Sequence, residues 1–451
     1  IREDLLPPSV TDELKHLFDR LPSIPFEKIR ETIEASLGHP VEALFNHIDE
    51  EPLGSASIAQ AHRAETKDGD KVVIKIIKPG VRASVTADLK LLEAVGRFLQ
   101  WIIPRYQPRH IIEEFSAYTI KEVDFTYEAD NGEIFAAHFR DMPGVVFPKM
   151  YRALSSEDVL TMQFLDGFSP SSPRAQALTE AQRQQIIDLG AASIIRMLYQ
   201  DGFFHADLHA GNLLILPGDD GFRLGFLDLG MVGRFEEKTR RRMLYYFNAL
   251  VNGDVESAAK YLTDMARVGQ GGDPKGFRRA VSDTARRFVL HGAQGDISIA
   301  QLILESVGLG GKYRVFFPVE MTLMVKALVT YEGVGRMLDP KMDVAVVSRK
   351  HVGRIFRKHF DPQSLMQKLM NNAPEMIDLA VQSPQLLASG FKFLEESLND
   401  RSPQNPLAGL RSSIIAGSCI VGGVLALIQG GPPVLWITLF ALGFLLSVFG
   451  K

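Results

Sequence analysis

The residues best suited to chemistry lie in one stretch, Phe204-His205-Ala206-Asp207-Leu208-His209-Ala210-Gly211-Asn212-Leu213-Leu214-Ile215, followed by Phe226-Leu227-Asp228-Leu229-Gly230. An aspartate and an asparagine five positions later, on a loop that leads into a strand pair, can face one cavity. Asp228 ends the next strand before a glycine, so Asn212 and Asp228 together offer the oxygen ligands that Mg2+ requires. The chemistry these parts suit is phosphoryl transfer from ATP. That reaction asks little covalent help of a protein; it asks that metals and acceptor be held in place.

The spacing is that of a kinase catalytic loop, His-x-Asp-x-x-x-x-Asn, with Asp-Leu-Gly where Asp-Phe-Gly usually stands. A third part lies upstream. Lys75 interrupts the apolar strand Val72-Val73-Ile74-Lys75-Ile76-Ile77, where a lysine is costly unless an anion meets it. Alone it would read as an edge-strand lysine facing water. Beside the other two parts it reads as the small-lobe lysine that holds the α- and β-phosphates and pairs with a helix glutamate. Partner candidates lie in Lys121-Glu122-Val123-Asp124-Phe125-Thr126-Tyr127-Glu128-Ala129. Glu122 and Glu128 are six positions apart, so they cannot share a helix face closely and take different roles. The same charges also suit a solvated face, and spacing alone leaves both readings standing. The phosphate loop is unusual. Pro52-Leu53-Gly54-Ser55-Ala56-Ser57-Ile58-Ala59-Gln60-Ala61-His62 contains no Gly-x-Gly-x-x-Gly. Gly54, Ser55, Ala56, Ser57 and Ile58 can approach phosphates, but Ala and Ser lack glycine's access to positive φ. Nucleotide clamping must differ from that of an ordinary protein kinase.

Taken in order from Asp49 to Gly230, these motifs resemble the UbiB/ADCK family of atypical kinases, associated with ubiquinone biosynthesis. The resemblance implies ATP and Mg2+ as cofactors, with Lys75 on the phosphates and Glu128 as its ion-pair partner. It also implies Glu122 and Asp124 facing the nucleotide, Asn212 and Asp228 on Mg2+, and Asp207 in the catalytic-base position. Adenine contacts would come from the backbone near Gln163 and Leu165. Nucleotide, quinone precursors and other quinone-biosynthesis proteins are the implied partners. Two departures stand out. The family's Lys-x-Gly-Gln motif does not occur in this sequence, and Gly54 stands where the family usually has alanine.

The elements that must position these residues follow from periodicity. Short helices punctuated by Pro22, Pro25 and Pro40 run from Thr11 to His47, and strand-like patterning runs from Asp49 to Lys78. Helical runs follow over 81–103 and 110–139, strands near 145–147 and 159–164, a helix over 180–200 and a strand over 223–227. Everything from Glu236 to Leu398 reads as helix. The expected class is α+β, an atypical protein-kinase-like bilobal fold, a small β-rich lobe with inserted helices and a large helical lobe, plus a C-terminal transmembrane helical hairpin. The expected divisions are 1–48 (helical extension), 49–167 (small lobe), 168–400 (helical lobe), 401–409 (linker) and 410–451 (hairpin).

The hairpin rests on two apolar halves, Leu410–Ile428 and Val434–Phe449, around Gln429-Gly430-Gly431-Pro432-Pro433. A spanning helix needs about 20 residues. Arg411 and Lys451 mark the outer ends, so both face the cytoplasm by the positive-inside rule. The sequence-based expectation is therefore a bacterial inner-membrane location with the catalytic body in the cytoplasm. Lys350, Arg354, Arg357 and Lys358 fall along one helix face, which reads first as an ordinary solvated face and next as a stripe for anionic membrane lipids. The net charge of −4 argues against a nucleic-acid binder, and one cysteine excludes an intramolecular disulfide. Two rival readings differ in class. A conventional protein kinase needs an Ala-Pro-Glu motif soon after Asp228, and Ala373-Pro374-Glu375 comes far too late. A nucleotide-gated, non-catalytic scaffold for quinone-biosynthesis enzymes would keep the same binding residues.

Overall fold

Alternation along Lys71–Ile77 divides that strand between two environments. Val72, Ile74 and Ile76 are fully buried on one face, and Val73 and Lys75 lie on the other, half-buried. The computed structural model in which this is seen describes residues 23–359 apart from 104–107, 219–220, 292–298 and 343, with scattered positions between 417 and 442. Residues 1–361 form one unit and 362–451 a second.

The small-lobe sheet is antiparallel, in the order β1 (Phe45–Ile48), β3 (Ala59–Thr66), β4 (Lys71–Ile77), β6 (Val159–Gln163), with β2 (Gly54–Ser55) also on β3. Helix α1 (Phe26–Leu37) lays Ile29 and Ile33 against Val72, Ile74 and Ile76, forming a small core of its own. Gly38 ends α1 at φ 74°, the left-handed region that glycine enters without strain. Within β3 the buried Gln60 donates to the carbonyl of Ile24 and hydrogen-bonds the ring of His62, which fastens the approach to α1. Register sets Lys75 between Ala61 and Leu160. Two readings of the leader and insert change. Phe45–Ile48 is a strand rather than the end of a helical leader. The helix expected over 110–139 is two helices after α2 (Val81–Ile102): α3 (Pro108–Glu122) and α4 (Phe125–His138). The break is chemical. Asp124 turns extended and its Oδ1 accepts from the Thr126 N–H at 2.9 Å, an N-cap that starts a new helix.

The larger lobe begins with α5 (Glu180–Ile195), whose Thr179 and Gln182 form a capping box. A π-helical turn over Arg196–Asp201 leads into β7 (Phe203–His205). β8 (Leu213–Gly218) and β9 (Gly221–Phe226) form a hairpin, with β5 (Val145–Val146) parallel to β9, and β10 (Val232–Arg234) returns antiparallel to β7. Helices α6 (Glu237–Val251), α7 (Val255–Met265), α8 (Pro274–His291), α9 (Ile299–Gly308), α10 (Val319–Leu338) and α11 (Val344–His359) complete it. A two-stranded ribbon, β11 (Arg267–Val268) with β12 (Val315–Phe316), interrupts the stretch that reads as all helix. Tyr331 of α10 donates its hydroxyl hydrogen to the Ile187 carbonyl of α5 at 2.8 Å, fixing α10 against the lobe's core.

The membrane expectation is corrected. Among the described residues no helix is long and apolar enough to cross a membrane, so the two-span hairpin and the inner-membrane location drawn from it are not supported. Within 410–451 only scattered positions are described, among them the helical 417–419 and 438–442. The rest of that stretch lies outside the described residues. In the basic stripe Lys350 donates to Asp188 Oδ2 at 3.3 Å, while the side chains of Arg357 and Lys358 also lie outside them.

Candidate active site

Two loops converge because backbone bonds tie them together. The strand pair β7–β10 ends at His205 and Val232, and the Ala206 N–H donates to the Met231 carbonyl at 3.0 Å. His205, fully buried, bridges the loops: its Nε2 bonds the Leu227 carbonyl at 3.0 Å and its Nδ1 accepts from the Asp207 N–H at 3.1 Å. That pair of partners requires the neutral ring, and burial drives its pKa below the ordinary value. Asn212 Nδ2 donates to the Asp207 carbonyl at 2.9 Å, and the Leu227 N–H donates to the Asn212 carbonyl at 2.8 Å. Asp207, Asn212 and Asp228 are thereby held as one constellation. Asp228 adopts φ 52°, a left-handed conformation uncommon outside glycine and held here by its neighbours.

Lys75 joins the two lobes of this site. Its Nζ donates to Glu128 Oε1 at 2.6 Å and to Asp228 Oδ1 at 3.0 Å. Burial opposes its charge, but Glu128 and Asp228 outweigh that and hold it protonated. Burial also pushes the Glu128 carboxyl upward, with Lys75 pulling the other way. Glu128 further accepts from the Leu229 N–H at 3.2 Å, and Asn131 Nδ2 donates to the Leu229 carbonyl at 2.8 Å. Helix α4 thus grips the Asp-Leu-Gly segment directly. The Lys75 ammonium lowers the Asp228 carboxyl below its usual range.

The remaining candidates divide. Glu122 ends α3 beside a cavity of about 440 Å³ lined also by Tyr118, Tyr127, Gly230 and Arg234. Burial, then the carboxylates of Asp207 and Asp228, raise its pKa, so it belongs to the cluster. Asp124 is engaged at Oδ1 as the α4 cap, which gives it a structural task that the resemblance did not imply. In the loop of Gly54 to Ile58, Ser55 Oγ is buried without a hydrogen-bond partner among the described residues. The Ala56 N–H donates to the Ala59 carbonyl at 2.9 Å, closing the turn without a positive φ at Gly54. Gln163 ends β6, and Leu165 is buried just beyond it. The sequence reading missed Lys326. It lies on α10, and its Nζ sits 2.8 Å from Asp207 Oδ1. His209, also in the loop, accepts from the Gly211 N–H through Nδ1 and turns Nε2 toward Asp207 Oδ2 at 4.0 Å.

The donor set has the chemistry that a magnesium nucleotide asks for. Mg2+ is ordinarily held by one or two carboxylates together with phosphate oxygens and waters. Asn212, with Nδ2 on the Asp207 carbonyl, has Oδ1 left as a ligand atom, and Asp228 supplies a carboxylate. Among the described residues no three His, Cys, Asp or Glu side chains form a metal cage by themselves. The orphaned Ser55 hydroxyl is the kind of donor a phosphate oxygen would satisfy.

Residues 16–262 match the ABC1 atypical kinase-like domain. The chain belongs to the ABC1 atypical kinase-like family. Residues 289–343 of this ABC1 chain match the UbiB helical domain, which includes α10 and Lys326. It is 28% identical over 396 residues to the probable protein kinase UbiB of Tolumonas auensis, across 86% of this chain and 72% of that one. It is 27% identical over 407 residues to the chloroplastic protein Activity of BC1 complex kinase 7 of Arabidopsis thaliana, across 88% of this chain and 57% of that one. A solved structure, described as the complex of Rv3197 with erythromycin from Mycobacterium tuberculosis, superposes with a TM-score of 0.55 at 21% identity. It covers 77% of this ABC1 chain and 88% of its own, and supports the kinase-like α+β fold.

Proposed function

We propose that this chain binds ATP with Mg2+ and transfers or hydrolyses the terminal phosphoryl group, in support of ubiquinone biosynthesis. The observation that carries the reading is Lys75, paired at once with Glu128 of α4 and Asp228 of the Asp-Leu-Gly segment. A half-buried lysine drawn between two carboxylates from separate elements suits a site that takes phosphates. The bound magnesium nucleotide would supply the phosphoryl group and the metal charge that stabilises its transfer.

The chain's own residues divide the remaining work. Lys75 and the Gly54–Ile58 loop bind phosphates, Asn212 and Asp228 hold the metal, and Gln163 to Leu165 meet the adenine. Asp207 accepts the proton of the acceptor hydroxyl. A phenolic quinone precursor is the acceptor class that fits a role in ubiquinone biosynthesis, with water as the acceptor in simple hydrolysis. The alternative is a nucleotide-gated scaffold for other quinone-biosynthesis proteins. It draws support from the Lys75–Asp228 contact, which a metal taking the same carboxylate oxygen would replace, changing how the lobes are joined.

The two readings separate on Asp207→Asn. If Asp207 is the base, steady-state ATP turnover falls about 100-fold or more while ATP binding persists, the range expected for loss of general-base catalysis. Turnover that survives the substitution would contradict phosphoryl transfer through Asp207 and favour the scaffold.

A further inference from the structure

Lys326 comes from the helical domain, distant in sequence from every motif of the site, yet it reaches the catalytic loop. Helix α10 buries Met324, Val325, Ala327, Leu328 and Tyr331 against the lobe, and this orientation leaves Lys326 half exposed at the site's edge. Its ammonium stands 2.8 Å from Asp207 Oδ1. A pair this exposed adds little to stability, so holding the fold together does not explain it.

Charge bookkeeping around the site points to another use. Four carboxylates, Glu122, Asp207, Asp228 and Glu128, gather here, and Lys75 is already committed to Glu128 and Asp228. Lys326 is the lysine that faces Asp207, and its charge also reaches Glu122, whose carboxyl it pulls down against burial and the neighbouring acids. A base that must take an acceptor's proton works best with its oxygen free of a cation. The ammonium therefore needs another anion in the working state, and a long, exposed lysine can turn to one without desolvation. A lysine ammonium, a compact charge with three donors, suits a phosphate oxygen.

We infer that Lys326 is a phosphate-contacting residue of the active site, delivered by the helical domain, whose ammonium leaves Asp207 for the terminal phosphate when a nucleoside triphosphate binds. The inference rests on the proposed nucleotide site. It deepens that reading in two ways: it gives the helical domain a direct part in the chemistry, and it frees Asp207 in the same motion. Its particular consequence is discrimination between ATP and ADP, since only ATP brings the phosphate that Lys326 touches.

The test is calorimetric titration of the full chain with Mg-ATP and with Mg-ADP, in the wild type, Lys326→Met and Lys326→Arg. Loss of a hydrogen bond to a charged group should weaken ATP binding about 10-fold or more in Lys326→Met. ADP binding should stay within about twofold, because its phosphates lie beyond the side chain's contact and feel only screened charge. Lys326→Arg should retain most of the ATP affinity. Thermal melting without nucleotide should match the wild type in both variants. Equal losses for ATP and ADP, or no loss for either, would overturn the inference while leaving the nucleotide site in place. A wild-type chain that binds neither nucleotide would overturn both.

Discussion

Glu122 and Asp228 sit in the same cluster and are shifted in opposite directions. The Lys75 ammonium lowers Asp228, whereas burial and then the carboxylates of Asp207 and Asp228 raise Glu122 above its ordinary value of 4.5. An acid raised by folding binds more protons folded than unfolded in the window above that value. Its ionised form therefore subtracts stability as pH rises through the window, and subtracts none below about 4.5. Glu122→Gln should raise the melting temperature at pH 7, and the gain should vanish near pH 4. Differential scanning fluorimetry at both values checks this. No gain at neutral pH, or an undiminished gain in acid, would contradict the placement of Glu122 among the site's carboxylates. At this scale the sequence was legible where the motif letters name the contact. Lys75 meets Glu128, the partner that the resemblance implied and that spacing alone left undecided, and it meets Asp228 as well, while Asn212 is tied to the Asp207 carbonyl of its own loop. Lys326 was not legible, because its partner lies in another element and nothing in an amphipathic helix marks one exposed lysine from the next.

The β7–β10 pair is the element that holds the catalytic loop and the Asp-Leu-Gly segment in common register. Its two strands approach closely at Gly233, where an added Cβ would stand 2.1 Å from the Phe204 ring. That ring is itself buried against Phe235 at 4.9 Å between centroids, so it has little room to yield. Gly233→Ala should cost about 1–3 kcal/mol by overpacking, read as a lower midpoint in chemical denaturation. An unchanged midpoint would show that the pair is looser than the register implies. Strands with β-branched residues and clear punctuation, such as β4 and β6, were readable from sequence. The break between α3 and α4 was not, because helical periodicity continues through it. Only the Asp124 cap and the Phe125 N–H bond to the Glu157 carbonyl reveal that a new helix starts there. Strand β1 was missed for a similar reason: four residues after a proline-initiated turn carry too little pattern, and pairing with β3 decides the matter.

At the scale of the molecule the small-lobe sheet supplies Lys75, helix α4 couples it to Asp-Leu-Gly, the large lobe supplies Asp207, Asn212 and Asp228, and the helical domain adds Lys326. The kinase-like organisation could be anticipated from the order of the motifs. The membrane expectation rested on the apolar composition of 410–451, which gives hydropathy but not a helix, and no described helix is both long and apolar enough to cross a membrane. The central claim, that Asp228 is a metal ligand of a nucleotide site, has a direct test. Asp228→Asn is a mild change, because asparagine also tolerates the left-handed φ of 52° at that position. Calorimetric titration with ATP, with Mg2+ and with a chelator, in the wild type and in Asp228→Asn, reads the claim in one experiment. The account predicts that Mg2+ strengthens ATP binding in the wild type and that this dependence is lost in Asp228→Asn. Magnesium dependence that is the same in both proteins would contradict it.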